Sequence, residues 1–456
     1  MHNPLHPTFG GAWRRLAQPL GVFMITALLF WLTFISPDLP VGKAQEEKQA
    51  DVIVQFDQQA HVVRRVAFTQ PISGLVALQW SGLRVITAST SFGPAVCSIE
   101  GVGCPATNCF CDAQRFWAYS YWDGSGWQSY PVGAASSVIS QTGAIEGWRW
   151  GEFGDPQTPA TQTLAAAQAL TWLGARQSIT NGGYGGVSAA VETMLALGAN
   201  GLTADEWRRS ATSPSVQAYV AVQGAAYSRN SAGGAGKLAL AVAATDACLP
   251  GGAVTPRSHY SPTLGAYSKQ SGPNSLAILG AVAISESVPT AASGVLKGAQ
   301  QATGGWEWAP GWGADTNATA LAVQALVATG EPISSSTIIS ALTFLQSAQQ
   351  RDGGFAYDLT PNAPSDANST AYVVQALLAA GENPTGGRWT ISATTPISYL
   401  LGLQLADGSL QWQTGLGTNQ LATQQAIPAL FGRAHPIARR TVPSCPALYL
   451  PLAAKR

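Results

Sequence analysis

A loop built on glycine and an aromatic residue, followed by an Ala- and Leu-rich helical stretch, recurs along the C-terminal two-thirds of this chain. It reads "GGYGG" (Gly182–Gly186), "LGAYS" (Leu264–Ser268), "GGWEW" (Gly304–Trp308), "GGFAY" (Gly353–Tyr357) and "DGSLQW" (Asp407–Trp412). The stretches that follow are "VSAAVETMLAL", "NSLAILGAVA", "DTNATALAVQALVA", "DANSTAYVVQALLA" and "GTNQLATQQAIPAL". A weaker unit, "SPSVQAYVAVQGAAYSRN" with "GKLALAVAAT", sits between the first two and brings the total to six. Repeated units of this kind bury their apolar faces on one another. Five of them show a preceding helix, as in "SSTIISALTFLQSAQQ"; before "LGAYS" the stretch "CLPGGAVTPRSHYSP" is too broken for one. Eleven or twelve helices are expected. Six pairs suit closure into an α/α ring, with the helices that begin at "TA" on the inside because they are apolar nearly all round.

The N-terminal third reads differently. "DVIVQFD" alternates, "RFWAYSYWDGSGWQSY" (Arg115–Tyr130) is two aromatic runs around a turn, and "GAIEGWRWG" closes the region. We expect a small β-rich (α+β) domain over residues 50–151, a Pro-containing linker over 152–161, the helical domain over 162–440 and a tail over 441–456. Residues 1–49 read as a signal peptide or membrane anchor. Arg14 and Arg15 precede the apolar run Leu20–Ile35, and the small residues of "GKA" follow at Gly42–Ala44. The chain is therefore expected outside the cytoplasm, secreted or held to a membrane by its N-terminal helix.

Lys+Arg and Asp+Glu number 24 each, so no basic surface calls for nucleic acid. Export makes the cysteines candidates for disulfides. Cys97, Cys104, Cys109 and Cys111 lack the paired C-x2-C spacing of common structural zinc sites. A Cys109–Cys111 bond would strain a very small ring. Cys97 is left with Cys109 or Cys111, Cys104 takes the other, and Cys248 pairs with Cys445. No metal site is expected.

The recurring "QxxDGGF…TAxxxQAL" pattern resembles the prenyltransferase and squalene-oxidase repeat, which implies an α/α toroid over about Gln162 to Ala434. "SDANSTA" resembles the squalene-hopene cyclase motif D-x-D-D-T-A, but its acid positions here read Asp366, Asn368 and Ser369. The fourth unit repeats the substitution with Asp315, Asn317 and Ala318. An amide cannot protonate an alkene, and Asp or Asn ahead of an apolar helical run is N-cap chemistry. Protein prenyltransferases need an Asp, Cys and His zinc site; His259, His435 and Cys248 do not assemble one on paper. Glycan-degrading toroids pair carboxylates in a Trp-rich groove, for which Glu307 and Asp315 are the candidates.

The last unit, with its "LQLADG" loop and "QQAIPAL" helix, resembles the end of the α domain of the cobalamin carriers. "CSIEGVGC", the aromatic hairpin and "VISQTGAIEGWRWG" resemble their small β domain, although the domain order is reversed here. That resemblance implies a non-catalytic small-molecule-binding protein, with cobalamin or another corrinoid as the possible ligand between ring and sheet. Candidate ligand-binding residues are Trp306, Trp308, Trp312, Tyr357 and Trp412 for flat apolar contact, and Asp366, Asn368 and Asn419 for a polar edge. His259 is the candidate imidazole for a corrinoid. No catalytic residue is assigned. The alternatives are a terpenoid cyclase-like or glycan-active toroid enzyme, and a cell-surface interaction module built on the hairpin.

Overall fold

The computed structural model describes residues 47–56, 61–91 and 93–437. The expected signal or anchor segment, Cys445 and the tail lie outside the described residues. Among the described residues no helix is long and apolar enough to cross a membrane.

The N-terminal region is β-rich. Strands β1 (Lys48–Gln55) and β2 (His61–Phe68) form a hairpin, and helix α1 (Gly74–Trp80) follows, N-capped by the Ser73 side chain. Strands β3 (Val85–Thr90), β4 (Gly93–Ile99) and β5 (Val102–Gly103) make a small sheet of their own. Strands β6 (Arg115–Trp122), β7 (Trp127–Ser129) and β8 (Ala144–Glu152) complete the larger sheet, ordered β2-β1-β8-β6-β7, with β1 and β8 parallel. Cys97 is bonded to Cys109 and Cys104 to Cys111, one of the two pairings the spacing left open.

Alternation along β1 and β2 explains how this sheet serves two cores. Val52, Val54, Val62 and Val66 face the β domain's own core with Leu78, Ile99, Trp117 and Trp148. Ile53 and Val63 point the other way and join the helical core.

The helical region runs α2 (Thr161–Arg176), α3 (Val187–Ala199), α4 (Val216–Asn230), α5 (Ala232–Ala244), α6 (Ser271–Ala283), α7 (Thr290–Gly298), α8 (Thr316–Ala328), α9 (Ser336–Ala348), α10 (Ala367–Ala379), α11 (Pro396–Gly402) and α12 (Gln420–Leu430). Where the sequence is broken, between α5 and α6, there is a 3-10 turn, Pro256–His259, in place of a helix. Two-residue strands β9 (Trp306–Glu307) and β10 (Ala314–Asp315) pair in the loop before α8. Strands β11 (Phe355–Ala356) and β12 (Ser365–Asp366) do the same before α10. Central helices α3, α5, α6, α8, α10 and α12 each pack on the next, and α12 packs on α3. The others lie outside: α2 against α12 and α3, α4 against α3 and α5, α7 against α6 and α8, α11 against α10 and α12, and α9 against α8 and β11.

One polar device repeats at the unit boundaries. The Gln177 side-chain amide donates to the carbonyls of Gly182 (2.9 Å) and Trp207 (3.1 Å). Gln300 does the same for Gly304 and Thr337, and Gln349 for Gly353 and Trp389. Gln404, in the last unit, donates to Gly408 (3.0 Å) and to Ala165 on α2 in the first unit (2.8 Å).

The sheet is held to the helices by a short set of bonds. Asn200, the C-cap of α3, accepts from the Val63 N–H (2.7 Å) and donates to the Val63 carbonyl (2.8 Å). Asp51 takes both Arg65 and the Thr171 hydroxyl of α2. The Ala160 N–H, just ahead of α2, donates to Gln55. Asn200→Ala leaves the N–H of buried Val63 without its partner, while the carbonyl keeps Arg64 (2.9 Å), and this costs about 2 kcal/mol. In urea denaturation it should lower the unfolding free energy by that amount, whereas Thr343→Ala on exposed α9 surface should leave it unchanged.

Candidate functional site

The loops ahead of the central helices build an aromatic rim, and the helix caps set its geometry. Asp315 caps α8: one carboxylate oxygen accepts from the Ala318 N–H (2.7 Å) and the other from the Trp308 N–H (3.0 Å). Asp366 caps α10, accepting from the Ser369 N–H (2.8 Å) and the Ser369 hydroxyl (2.7 Å). Asn419 caps α12 through the Ala422 N–H (2.9 Å). Each aspartate also lies near an aromatic side chain of the following unit, Asp315 near Tyr357 and Asp366 near Trp412. The backbone repeats the link, with Thr316 N–H donating to the Tyr357 carbonyl and Ala367 N–H to the Trp412 carbonyl. Trp308 lies so close over the start of α6 that a Cβ at Gly272 would come within 2.5 Å of its ring.

Trp308, Tyr357, Asp366, Trp412 and Asn419 are thus assembled on successive loops. Trp312 (71% exposed), Tyr357 (41%) and Trp412 (40%) leave apolar surface open there, with Leu359 and Leu416 beside them. Trp306 is not part of this surface. It is fully buried and its indole N–H donates to the Leu296 carbonyl, because its loop turns it under α7. Glu307 is held by the Gly311 N–H on the outer turn, while Asp315 is buried and occupied by its cap. His259 bonds the Ser228 carbonyl at 2.8 Å from a loop position.

The expected cleft between ring mouth and sheet does not include these aromatics. They sit at the N-terminal ends of the central helices, whereas β2 meets their C-terminal ends: Asn200 at the end of α3, and Phe431 at the end of α12, whose ring lies 5.3 Å from that of His61. On α12 the two ends are about 16 Å apart. The chain explains the placement. Residues 153–160 lead from β8 straight into α2, whose N-terminus lies at the end where the central helices finish. A cavity of about 240 Å³ does lie at the sheet–helix junction, lined by His61, Gln162, Leu378, Glu382, Ala429 and Gly432, none of them an expected ligand residue.

Asn368 faces inward. Its amide donates to Gln425 on α12 (2.6 Å). Gln425 in turn donates to Glu192 on α3 (3.0 Å) and to the Tyr372 hydroxyl (3.3 Å). Glu192 is paired with Lys237 on α5 at 2.5 Å. Burial pushes the Lys237 ammonium down, but Glu192, Tyr372 and Tyr227 outweigh it and hold the group above its ordinary range. His435, beyond α12, donates its backbone N–H to Gln324 on α8. Burial and Lys237 push its imidazole down to about 4 against the pull of Glu192. The space between the central helices is therefore polar. Glu192, Lys237, Tyr372 and Gln425 escaped the sequence reading, although a Glu and a Lys inside "AAVETMLAL" and "AGKLALAVAA" are conspicuous in a chain with only 11% charged residues.

Chemically, the position that carries the acid in the cyclase motif holds an amide already bonded to Gln425. The neighbouring Asp366 has both oxygens committed, and burial raises its carboxyl. Among the described residues no group of His, Cys, Asp and Glu could hold a metal ion.

Burial also pushes the Asp315 carboxyl up from 3.8 to about 6, against its cap hydrogen bonds. A folded-state value above the unfolded one means stability that is present below the unfolded value and lost as the pH rises through the folded one. Asp315→Asn keeps one acceptor and cannot ionise. Relative to the native chain it should gain on the order of 2 kcal/mol between about pH 4 and pH 7. Denaturant midpoints of the two proteins at both pH values test this; a pH-independent gap would refute it.

The family model described as the squalene-hopene cyclase C-terminal domain matches residues 266–425. No curated protein matches the sequence. Among solved structures, a variant of the type II terpene cyclase MstE from Scytonema aligns at 17% identity over 59% of this chain and 96% of that chain, with a TM-score of 0.40. An ent-copalyl diphosphate synthase from Streptomyces platensis aligns at 18% identity over 64% and 52%, with a TM-score of 0.33. Haptocorrin in complex with Cbi aligns at 16% identity over 24% and 26%, with a TM-score of 0.19, and lends the cobalamin expectation no support. The chain is a β-rich region followed by a helical part, and that helical part is similar to the squalene-hopene cyclase C-terminal domain.

Proposed function

We propose that the helical part closes as an α/α toroid of the squalene-hopene cyclase type, and that it binds an amphiphilic isoprenoid without initiating its cyclisation. The observation that carries this is Asn368: at the acid position of the cyclase motif stands an amide that donates to Gln425. Cyclisation of this type begins with a strong proton donor, and neither Asn368 nor the capped Asp366 supplies one. The match over residues 266–425 supports the isoprenoid class. Trp308, Tyr357 and Trp412 on the rim suit a hydrocarbon portion, and the amides and hydroxyl inside suit a polar head.

The same reading places the protein outside the cytoplasm. The basic and apolar N-terminal run motivates it, and the bonds Cys97–Cys109 and Cys104–Cys111 fit an oxidising compartment.

The test is to incubate the purified chain with squalene, geranylgeraniol and geranylgeranyl diphosphate, follow tryptophan fluorescence, and analyse extracts by mass spectrometry. Saturable binding of the two polar isoprenoids is expected with no cyclised product. Trp412→Ala should weaken binding about tenfold, or about 1.4 kcal/mol. Cyclised product would make the protein an enzyme and sink the non-catalytic claim; no binding would remove the isoprenoid.

A further inference from the structure

The β domain has a pocket of its own. A cavity of about 500 Å³ opens between strands β6 and β8 and the segment 138–145, with Tyr121, Trp122, Asp123, Tyr130 and Glu146 among its walls. Antiparallel register sets Tyr121 directly opposite Glu146, so both side chains rise from the same face of the sheet. Tyr130 lies across them, 4.5 Å from the Tyr121 ring, and stacks on Tyr119 at 4.8 Å.

Glu146 is only 1% exposed. One of its oxygens accepts from the Tyr119 hydroxyl (2.6 Å), the other from the Tyr130 hydroxyl (3.0 Å). These phenols solvate the carboxylate but bring no positive charge. No Lys, Arg or His lines the cavity. Lys48 approaches its edge and spends its ammonium on the Ser140 carbonyl (2.6 Å). None of the ion pairs among the described residues includes Glu146. A buried carboxylate without a cation is costly. Burial accordingly pushes its carboxyl up despite the two hydrogen bonds.

A ligand that removes this cost must carry positive charge. Aromatic walls select among cations, because ring faces attract a weakly hydrated organic cation. Each carboxylate oxygen also retains a lone-pair site beyond the one its tyrosine uses. The second carboxylate of the wall, Asp123, is spent on the Ser125 and Gly126 N–H groups and the Gln128 amide, and Glu146 with phenols is a poor donor set for a hard metal ion, which takes several oxygens. The geometry points to a binding site for a small organic ammonium ion, formed by Glu146 with Tyr121 and Tyr130 in the β domain.

Isothermal titration of the full chain with tetramethylammonium, choline and the uncharged choline isostere 3,3-dimethylbutan-1-ol tests it. Saturable binding of both cations and none of the alcohol is expected. Glu146→Gln should weaken cation binding at least tenfold, and Tyr121→Leu should weaken it several-fold. Should the variant at buried Glu146 fail to fold, half-buried Tyr121 decides. Failure of both cations to bind, equal binding of the alcohol, or affinity unchanged in Tyr121→Leu would each overturn the proposal. The isoprenoid experiment is read at the rim and stands or falls separately.

Discussion

The helical part depends on a side-chain amide at each of four unit boundaries. Gln177, Gln300, Gln349 and Gln404 each donate twice, once to a loop glycine of their own unit and once to the outer segment of the next. A tight glycine loop that turns under a helix leaves its carbonyls without regular partners, and a buried carbonyl must find one. The glutamine supplies it and fixes the spacing of the units in the same step. Gln404 applies the rule between residues 239 positions apart in sequence, tying the last unit to Ala165 in the first.

Once the loops are fixed, the helix starts follow, and the amide at Asn368 becomes physically intelligible. A threonine in the first turn of the helix receives the loop N–H: Thr319 from Trp306, Thr370 from Phe355, Thr423 from Leu410. The residue four positions earlier is the cap, and Asp315, Asp366 and Asn419 fill that role in turn. Capping uses carboxylate oxygens as acceptors, so it holds a helix start in place without needing an available proton. The inward position beside it is then free to be an amide. Asn368 joins Gln425, which holds Glu192 against Lys237. A buried ion pair is tolerable only when further hydrogen bonds satisfy it, and the amides give this one that support.

The sequence made the helical units legible because their pattern is local: glycine loop, cap and apolar run lie within a few residues of one another. Even the missing helix before "LGAYS" could be read, from the glycines and prolines of "CLPGGAVTPRSHYSP". The β domain was legible as alternation, and the cap role of Asp366 from its place ahead of an apolar helix. What depends on pairing across the chain was hidden. Trp306 and Trp308 are two residues apart in one loop, yet one is buried under α7 and the other lies on the rim. The Glu192–Lys237 pair joins two helices whose charged residues look like isolated exceptions when read singly. Glu146 passed unnoticed inside "GAIEGWRWG", because only strand register sets it against Tyr121.

Chain direction decides where the β domain can act. β8 leads through residues 153–160 into α2, an outer helix, and an outer helix begins where its central neighbour ends. The hairpin of β1 and β2 therefore settles beside Asn200 and Phe431, at the finishing ends of α3 and α12. The aromatic rim is left uncovered by the hairpin at the other end, a helix length away. A chain with the helical part first and the sheet appended after the last helix would also leave from the finishing end of its central helices, so reversed domain order alone does not carry the sheet to the rim. The short connection selects the end of the helices that the sheet meets. In this chain that selection separates the aromatic rim from the sheet and gives each its own potential ligand site.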